Sequence, residues 1–457
     1  MSSNVLGKLL RETESLPTNE PSGSTSHSQA VPDASRKAPA VIIVGPPWPR
    51  SGTARVMQSQ VDYYRQRGLR TFFVVVPFHQ MYMESKPIWN ELNEGIQDLG
   101  ADRIYIAALR SKNYQAAKYA TSLRHAFGGT VLDWMIGVGR SARLPVDALQ
   151  FFRDSTVALF HVNHVYTLGF ALQLRHKLAG WGGEIPLVVD THDVQSHVLQ
   201  DKSEINPWTR KPDSLERMIR SEVSLLKKAD VLVHLSVNDF EFFCARLPTK
   251  PHVLAMPTID ESFVSAVNAS APWPETIDLL FVGQSHRPNL EAMKWFFGEV
   301  WPLLAGRHYK LKVVGAVEMF VRQFLPDVYR EFRPCFTGEV ADLAPYYRAA
   351  RCVIAPMVSG TGISIKTIEA LALGKPFVGT SKSYRGMPLE KIREAGVHFH
   401  DEPQAFADAV AHALANEAEA AAISRTAYDR IFSTEAAFAS RDEAIDIAMK
   451  KKLRANL

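Results

Sequence analysis

Cysteine is scarce in this chain: Cys244, Cys335 and Cys352 are the three it has, odd in number and far apart. There is no CxxC pair and no Cys/His spacing of the zinc-binding kind. That excludes a disulfide framework and a structural zinc module, and it fits a reducing compartment. Long apolar runs are missing as well. No stretch approaches the roughly 18 apolar residues of a membrane span. The nearest, Val157 to Leu174, is interrupted by His161, Asn163 and His164 and divides into a strand and a helix. Charge of one sign is not in excess either. A net charge of +4 over 457 residues, spread along the chain, lacks the basic stripe of a dedicated nucleic-acid binder. The first 38 residues carry neither the charged start nor the apolar core of an export signal. These absences predict a cytoplasmic protein. The basic ending "MKKKLRAN" is compatible with peripheral contact to anionic lipid, although such runs are more often a solvated helix end.

What is present is enough for real cores. Apolar residues make up 46% of the chain and charged residues 22%, and the length predicts two or three domains. Residues 1–38 are rich in Ser, Pro, Thr and Asn, without periodicity, and are expected to be disordered. Val41 to Val44 is then a continuous apolar run of the buried parallel-strand type. A Gly/Pro loop follows, then a helix with Ala54, Met57, Val61 and Tyr64 on one face, closed by Gly68. A second strand is expected from Phe72 to Val76.

The alternation continues through "RIYIAAL", "VALFHVN", "PLVVDTHD" and "VLVHLS". Helical patterns lie between them, Tyr166 to Leu178 (with Gly180 behind) and Leu215 to Leu226. The pattern lapses between Pro257 and Thr276, then restarts with "IDLLFVG", "NLEAMKWFFGEVWPLL", "LKVVG", "FTGEV", "CVIAPM" and "PFVGT". Two α/β units are therefore predicted, Rossmann-like doubly wound domains over residues 39–260 and 277–425 facing a cleft, with a closing helix over 426–457. Ligands of open α/β sheets bind outside the carboxyl ends of the strands.

One stretch carries the clearest chemistry. In "CVIAPMVSGTGISIKTIEALALGKPFVGT" a buried strand leads through a glycine-bearing loop into a helix that Gly374 ends. Gly360 and Gly362 let the backbone approach a ligand and present amides at a helix N-terminus, where an anion is favoured. Lys366 and Glu369, three apart, share one helical face. The same residues also fit an ordinary surface ion pair above a glycine turn.

This stretch, together with "LLFVGQSHRPNLEAMKWFFGEVWPLL", "LKVVG" and "FTGEVADLAPYYRAARCVIAPM", resembles the C-terminal half of the glycosyltransferases of family 4. More narrowly, it is similar to the branch with an "FxG…RPN…WF…VWP" opening and a "GTG…K…EALA.GKP.V.T" close. The resemblance covers about 150 residues from Ile277. It continues more loosely into the first half, through "DTHD" and "SEVSLLKKADVLVHLS". It implies the GT-B fold and transfer of a sugar from a nucleotide-diphosphate donor, UDP- or GDP-linked, with no metal or other cofactor. A glycan, a lipid-linked intermediate or a small molecule is the implied acceptor, and a polysaccharide pathway the implied setting.

Residue by residue, the resemblance implies that Glu369 accepts the donor ribose hydroxyls. A carboxylate suits a cis-diol, two acceptors meeting two donors. Lys366 would neutralise the diphosphate, and the amides near Gly362 and Ile363, in the loop with Gly360 and Thr361, would cap the leaving group. His286 or Arg287 falls where relatives place a basic phosphate contact. Thr337, Gly338 and Asp342 fall where they hold the base, with turn chemistry and helix capping as the alternative. Many relatives carry a second glutamate at the position of Thr361, so the sugar preference is open. In the first unit Ser51 and Gly52 open a helix facing the expected cleft. His192 and Asp193 end a strand where relatives contact the sugar. Asp193 capping the next helix and His192 packing in the core is the alternative. His161 and His164 are weaker candidates.

Two other classes remain: an inactive scaffold that binds a nucleotide sugar or a protein partner, and a sugar-nucleotide epimerase, for which no convincing set of carboxylates is present. A nicotinamide dehydrogenase is disfavoured, since the first strand leads into "GPPWPRSG" and not GxGxxG.

Overall fold

A computed structural model describes residues 38–48, 52–83, 99–125, 129–179, 184–201 and 211–455. Apart from Ala38, the segment expected to be disordered lies outside the described residues, as do Ser51 and Gly180. The chain forms two compact units. The first takes the described residues up to Leu235, then Asp239–Ala255 and the chain from Phe438 on; the second takes Ser236–Asn238 and Met256–Ala437.

The first unit holds a seven-stranded sheet: β1 (Ala40–Gly45), β2 (Arg70–Val75), β3 (Arg103–Ile106), β4 (Val157–Asn163), β5 (Leu187–Asp190), β6 (Val231–His234) and β7 (His252–Leu254). Their order is β3-β2-β1-β4-β5-β6-β7 and every pairing is parallel. Helix α1 (Gly52–Gln66) follows β1, α2 (Val165–Ala179) follows β4, and α3 (Gln195–Asp201) and α4 (Leu215–Leu226) lie between β5 and β6. Ala54, Met57, Val61 and Tyr64 are all buried, and Gly68, at a φ of +72°, closes the α1 turn in the left-handed conformation glycine tolerates.

Alternation along β4 sorts its side chains. Phe160 and Val162 join the apolar cluster that also holds Ile42, Val44, Phe72, Val74, Leu187 and Val189. With a period of two, His161 and Asn163 must then face the opposite side of the sheet. There Tyr64 of α1 meets His161.

The second sheet has five parallel strands in the order β10-β9-β8-β11-β12. They are β8 (Ile277–Val282), β9 (Leu311–Val314), β10 (Phe336–Gly338), β11 (Ala350–Ala355) and β12 (Phe377–Gly379). Leu279, Phe281, Cys352 and Ile354 enter one apolar cluster while Leu280 and Val353 enter another. Both faces are therefore covered, as doubly wound sheets require. Helix α5 (Arg287–Trp295) follows β8 and α6 (Ile365–Ala372) follows β11. The chain ends in helices, the last of them α7 (Thr434–Ala455). The expected closing helix over 426–457 is divided, since its first residues finish the preceding helix, Glu417–Ile431. From Phe438 on it counts with the first unit.

Candidate active site

In an open parallel sheet the loops diverge where the strand order reverses, leaving a crevice at the carboxyl ends. The second sheet reverses between β8 and β11. Lys366, in the first turn of α6, crosses that point: its Nζ donates to Asn289 Oδ1 of α5 at 2.6 Å and stands 4.4 Å from the centre of the Phe281 ring. Asn289 is itself held, its Nδ2 donating to the Gln284 carbonyl at 2.8 Å. Desolvation pushes the Lys366 amine down to about 7; the nearby Arg385 guanidinium pushes the same way and Glu369 opposes both. Glu369 is buried and accepts from Tyr347 Oη at 3.0 Å. Lys366 thus reaches a neutral amide while Glu369 is buried and accepts from a phenol, which removes the surface-ion-pair reading of this helix.

Gly360 and Gly362 have φ values of +123° and +64°. A Cβ on Gly360 would sit 3.1 Å from Arg385 Nε, and that Nε donates to the Thr361 carbonyl at 2.9 Å. The glycine therefore admits a guanidinium that braces the loop. Helix α6 begins only at Ile365, after the buried Ser364. The amides of Gly362 and Ile363 stand in the preceding loop and not in the first turn, because the two left-handed glycines delay the helix. Thr361 is exposed. Asn289, Tyr347 and Arg385 were not singled out from the sequence. Only Asn289 had a signal there, as the last letter of "RPN".

The remaining expected donor contacts are not gathered at Lys366. The Arg287 side chain is 80% exposed, and its Nε is tied to Glu291 Oε1 at 2.7 Å. Glu291 also accepts from Ser359 Oγ, and these hydrogen bonds, Ser359 first, hold its carboxyl below the usual range. His286 is exposed at the start of α5. Thr337, Gly338 and Asp342 sit at and beyond the end of β10, three strand spacings or about 14 Å from β11. There Asp342 Oδ1 accepts from the Ala344 amide at 2.9 Å, opening the helix Ala344–Ala349. Thr337 Oγ1 is buried with no hydrogen-bond partner among the described residues, and Gly338 has a φ of +77°. A cavity of about 380 Å³ beside Arg348, Gly374, Lys375 and Glu417 lies at the amino ends of β11 and β12 and contains none of these residues.

The first sheet reverses between β1 and β4, and its polar residues cluster there. Asn163 and Asp190 are register partners at the ends of β4 and β5. His164 and His192, just beyond these strands, have φ values of +64° and +62°, and their rings stack at 4.1 Å. His192 Nε2 lies 2.7 Å from Asn163 Oδ1. Burial lowers the His192 imidazole to about 4 against the pull of Asp190, and burial followed by His192 lowers His164 as well. Trp48, from the loop after β1, meets the His164 ring edge-on at 4.8 Å.

His161 has a different role: Tyr64 Oη on one side and Asp190 Oδ1 on the other, each at 2.7 Å, lock it into the sheet. Gly52 is the first residue of α1. The capping reading of Asp193 needs correction. The Gln195 and Ser196 amides that open α3 are taken by the two oxygens of buried Glu222, at 2.8 and 3.0 Å, a residue sequence reasoning passed over.

Two units, each a parallel sheet wound on both faces, are the architecture of the GT-B glycosyltransferase structures. The chain shares its fold with a sucrose-phosphate synthase from Thermosynechococcus elongatus (16% identity over 92% of this chain and 100% of that one, TM-score 0.55). It shares it also with HepE from Anabaena in complex with UDP and glucose (12% identity, 89% and 99%, TM-score 0.56). A Listeria monocytogenes protein assigned as a UDP-N-acetylglucosamine 2-epimerase has it too (12%, 88% and 94%, TM-score 0.50). Residues 276–416 match the family model described as glycosyl transferases group 1. No curated protein matches the chain. Among the described residues, no helix is long and apolar enough to cross a membrane. Nor does any group of three or more His, Cys, Asp or Glu side chains there form a place for a metal ion.

Proposed function

We propose that this protein is a glycosyltransferase that moves a hexosyl group from a UDP- or GDP-sugar to a glycan, lipid-linked or small-molecule acceptor, with retention and without a metal. The observation that carries the reading is Lys366. A buried amine, bonded to the neutral Asn289 across the reversal of the second sheet and lowered to about 7, takes its full charge when an anion is placed against it. Breaking the bond from sugar to diphosphate leaves negative charge on phosphate. Positioned cations and amides stabilise that charge most in a water-poor site. Lys366 and the loop amides at Gly362 and Ile363 are the tools for it, with Arg385 bracing the loop. Glu369, oriented by Tyr347, would take the ribose hydroxyls.

The match of residues 276–416 supports the reading, because this segment contains Asn289, Tyr347, Lys366 and Glu369. So does a fold-mate that binds UDP with glucose. Thr361, exposed beside the glycines, is where sugar selection would depart from relatives that carry a glutamate.

The test is a thermal-shift screen of the purified protein against UDP, GDP, ADP, UDP-glucose and GDP-mannose, with Glu369→Ala as control. Stabilisation by ligands of one base, lost in Glu369→Ala, supports the donor site and names the nucleotide. No shift at millimolar ligand sinks the reading and leaves an inactive scaffold with another partner.

A further inference from the structure

The buried polar residues of the first unit form a run whose orientation is fixed from one end. Asp190 Oδ2 accepts from Arg441 Nη1 at 3.2 Å and from Gln60 Nε2 at 2.8 Å, and Oδ1 faces His161. All four residues are buried. Burial alone would push the Asp190 carboxyl up, but His161 and Arg441 outweigh it and hold it well below the usual range. It is therefore a carboxylate, which can only accept.

That settles each amide in turn. Gln60 must present its NH₂ to Asp190, so its Oε1 faces Asn163 Nδ2 at 2.8 Å. Asn163 Nδ2 also points at the Val44 carbonyl, 3.4 Å away. Turning either amide over would set NH₂ against NH₂ and oxygen against oxygen. Asn163 Oδ1 is left to accept, from Gln60 Nε2 at 2.8 Å and from His192 Nε2 at 2.7 Å. His192 Nε2 must then carry the proton. Its other nitrogen, Nδ1, holds the lone pair; it has no partner among the described residues and is not sealed from solvent.

We propose that Gln60, Asn163 and Asp190 are positioning residues that fix His192 as the Nε2–H tautomer, so that Nδ1 accepts a hydrogen bond from a sugar hydroxyl of the substrate. Arg441 keeps Asp190 charged, and so acts on His192 from the far end of the chain. The left-handed backbone at His192 belongs to the same device: it sets the ring against Asn163 in a conformation that is strained for a residue with a side chain. The tautomer follows from this unit alone; the hydroxyl contact rests on the transferase reading above.

The test is ¹⁵N-imidazole labelling of the full chain, with long-range ¹H–¹⁵N correlation and His192 assigned by its loss in His192→Gln. The expected wild-type pattern is protonated Nε2 and bare Nδ1 in a neutral ring at pH 7. Gln60→Met, which cuts the run at similar volume, should give a mixture of tautomers. Adding Asn163→Asp to Gln60→Met, which supplies an acceptor that cannot turn over into a donor, should restore a single Nε2–H form.

A wild-type ring protonated on Nδ1 overturns the proposal without any variant, and so does an unchanged tautomer in folded Gln60→Met. In transfer assays Gln60→Met should lose at least tenfold in kcat with donor KM little changed, and adding Asn163→Asp to it should recover part of the loss. Full kcat in a folded Gln60→Met with mixed tautomers also overturns it. If no nucleotide sugar is ever turned over, the transferase reading falls by itself, and the wild-type spectrum still decides whether the tautomer is held.

Discussion

Lys366 carries a consequence for binding that no simple surface lysine has. Its amine is lowered from 10.5 to about 7, so at pH 8 it is mostly neutral in the empty protein. A diphosphate placed against it favours the charged form. Binding of the selected nucleotide sugar at pH 8 should therefore take up nearly one proton, whereas at pH 6, with the amine already charged, this uptake disappears. Nucleotide-sugar diphosphates have no titrating group of their own near neutrality, so calorimetry in buffers of different ionisation enthalpy reads the lysine directly. Lys366→Met should abolish the uptake; an uptake that survives this change would remove Lys366 from the anion site. The same shift links to stability. Between pH 7 and 10.5 the unfolded chain binds the extra proton, so this residue's contribution rises with pH across that window.

A second residue-scale effect belongs to His192, whose φ of +62° only glycine adopts without strain. Both His192→Ala and His192→Gly delete the ring and its bond to Asn163. The alanine keeps the backbone strain and the glycine does not. The strain relieved, about 1–2 kcal/mol, outweighs glycine's greater freedom in the unfolded chain, about 0.4–1 kcal/mol, so His192→Gly should be the more stable of the two in urea unfolding by up to about 1 kcal/mol. Equal stabilities or an advantage for alanine would mean that the loop relaxes once the ring is gone.

At the scale of elements, most of the fold is legible in the sequence for a simple reason. Strands buried on both faces read as continuous apolar runs, and the helices between them repeat their apolar residues every three or four positions. Strand β7 escaped because three residues, His252–Leu254, leave no pattern to count. The candidate site was legible in the second unit, where the glycines, Lys366 and Glu369 are close in sequence. It was hidden in the first, where Gln60, Asn163, Asp190 and Arg441 come from four separate elements and meet only after folding. Glu222 was missed for the same cause. It sits mid-helix in α4, yet it caps α3, 27 residues away. Glu222→Ala would leave two buried amides unpaired at a helix N-terminus. The expected loss is about 2–4 kcal/mol of stability, at 1–3 for each orphaned group with partial relaxation. Burial raises the Glu222 carboxyl from 4.5 to about 7. The folded state therefore binds the extra proton between these values, and the carboxyl's contribution is full below 4.5 and is lost as pH rises through 7. Urea unfolding of both proteins across this range should show their gap narrowing toward pH 7. A constant gap would assign the loss to the hydrogen bonds alone.

On the scale of the whole molecule, the chain from Phe438 on belongs to the first unit, although nearly two hundred residues of the second unit precede it. Among the described residues three ion pairs anchor it there, and their environments rank them. Asp442 receives both Arg67 Nε and Nη2 at 2.6 Å, but its side chain is 49% exposed, so solvent screening leaves the pair worth at most about 1 kcal/mol. Lys451 reaches Asp230 at 2.6 Å from a 58% exposed side chain and ranks with it. Arg441 and Asp190 are 3% and 0% exposed. Removing the cation leaves a buried carboxylate with His161 and the neutral Gln60 amide as its partners, a change of about 3 kcal/mol or more. A chain ended at Ala437 loses all three, together with the Phe438 ring that packs edge-on against Tyr63 at 5.1 Å. Its first unit should lose amide-exchange protection in α1, β4 and β5, while β8, β9 and β11 of the second unit keep theirs. Arg441→Met, with the helix intact, should reproduce most of the loss if the buried pair dominates. If only the truncation shows it, the apolar packing of the helix is the larger anchor and the guanidinium serves His192 more than the fold.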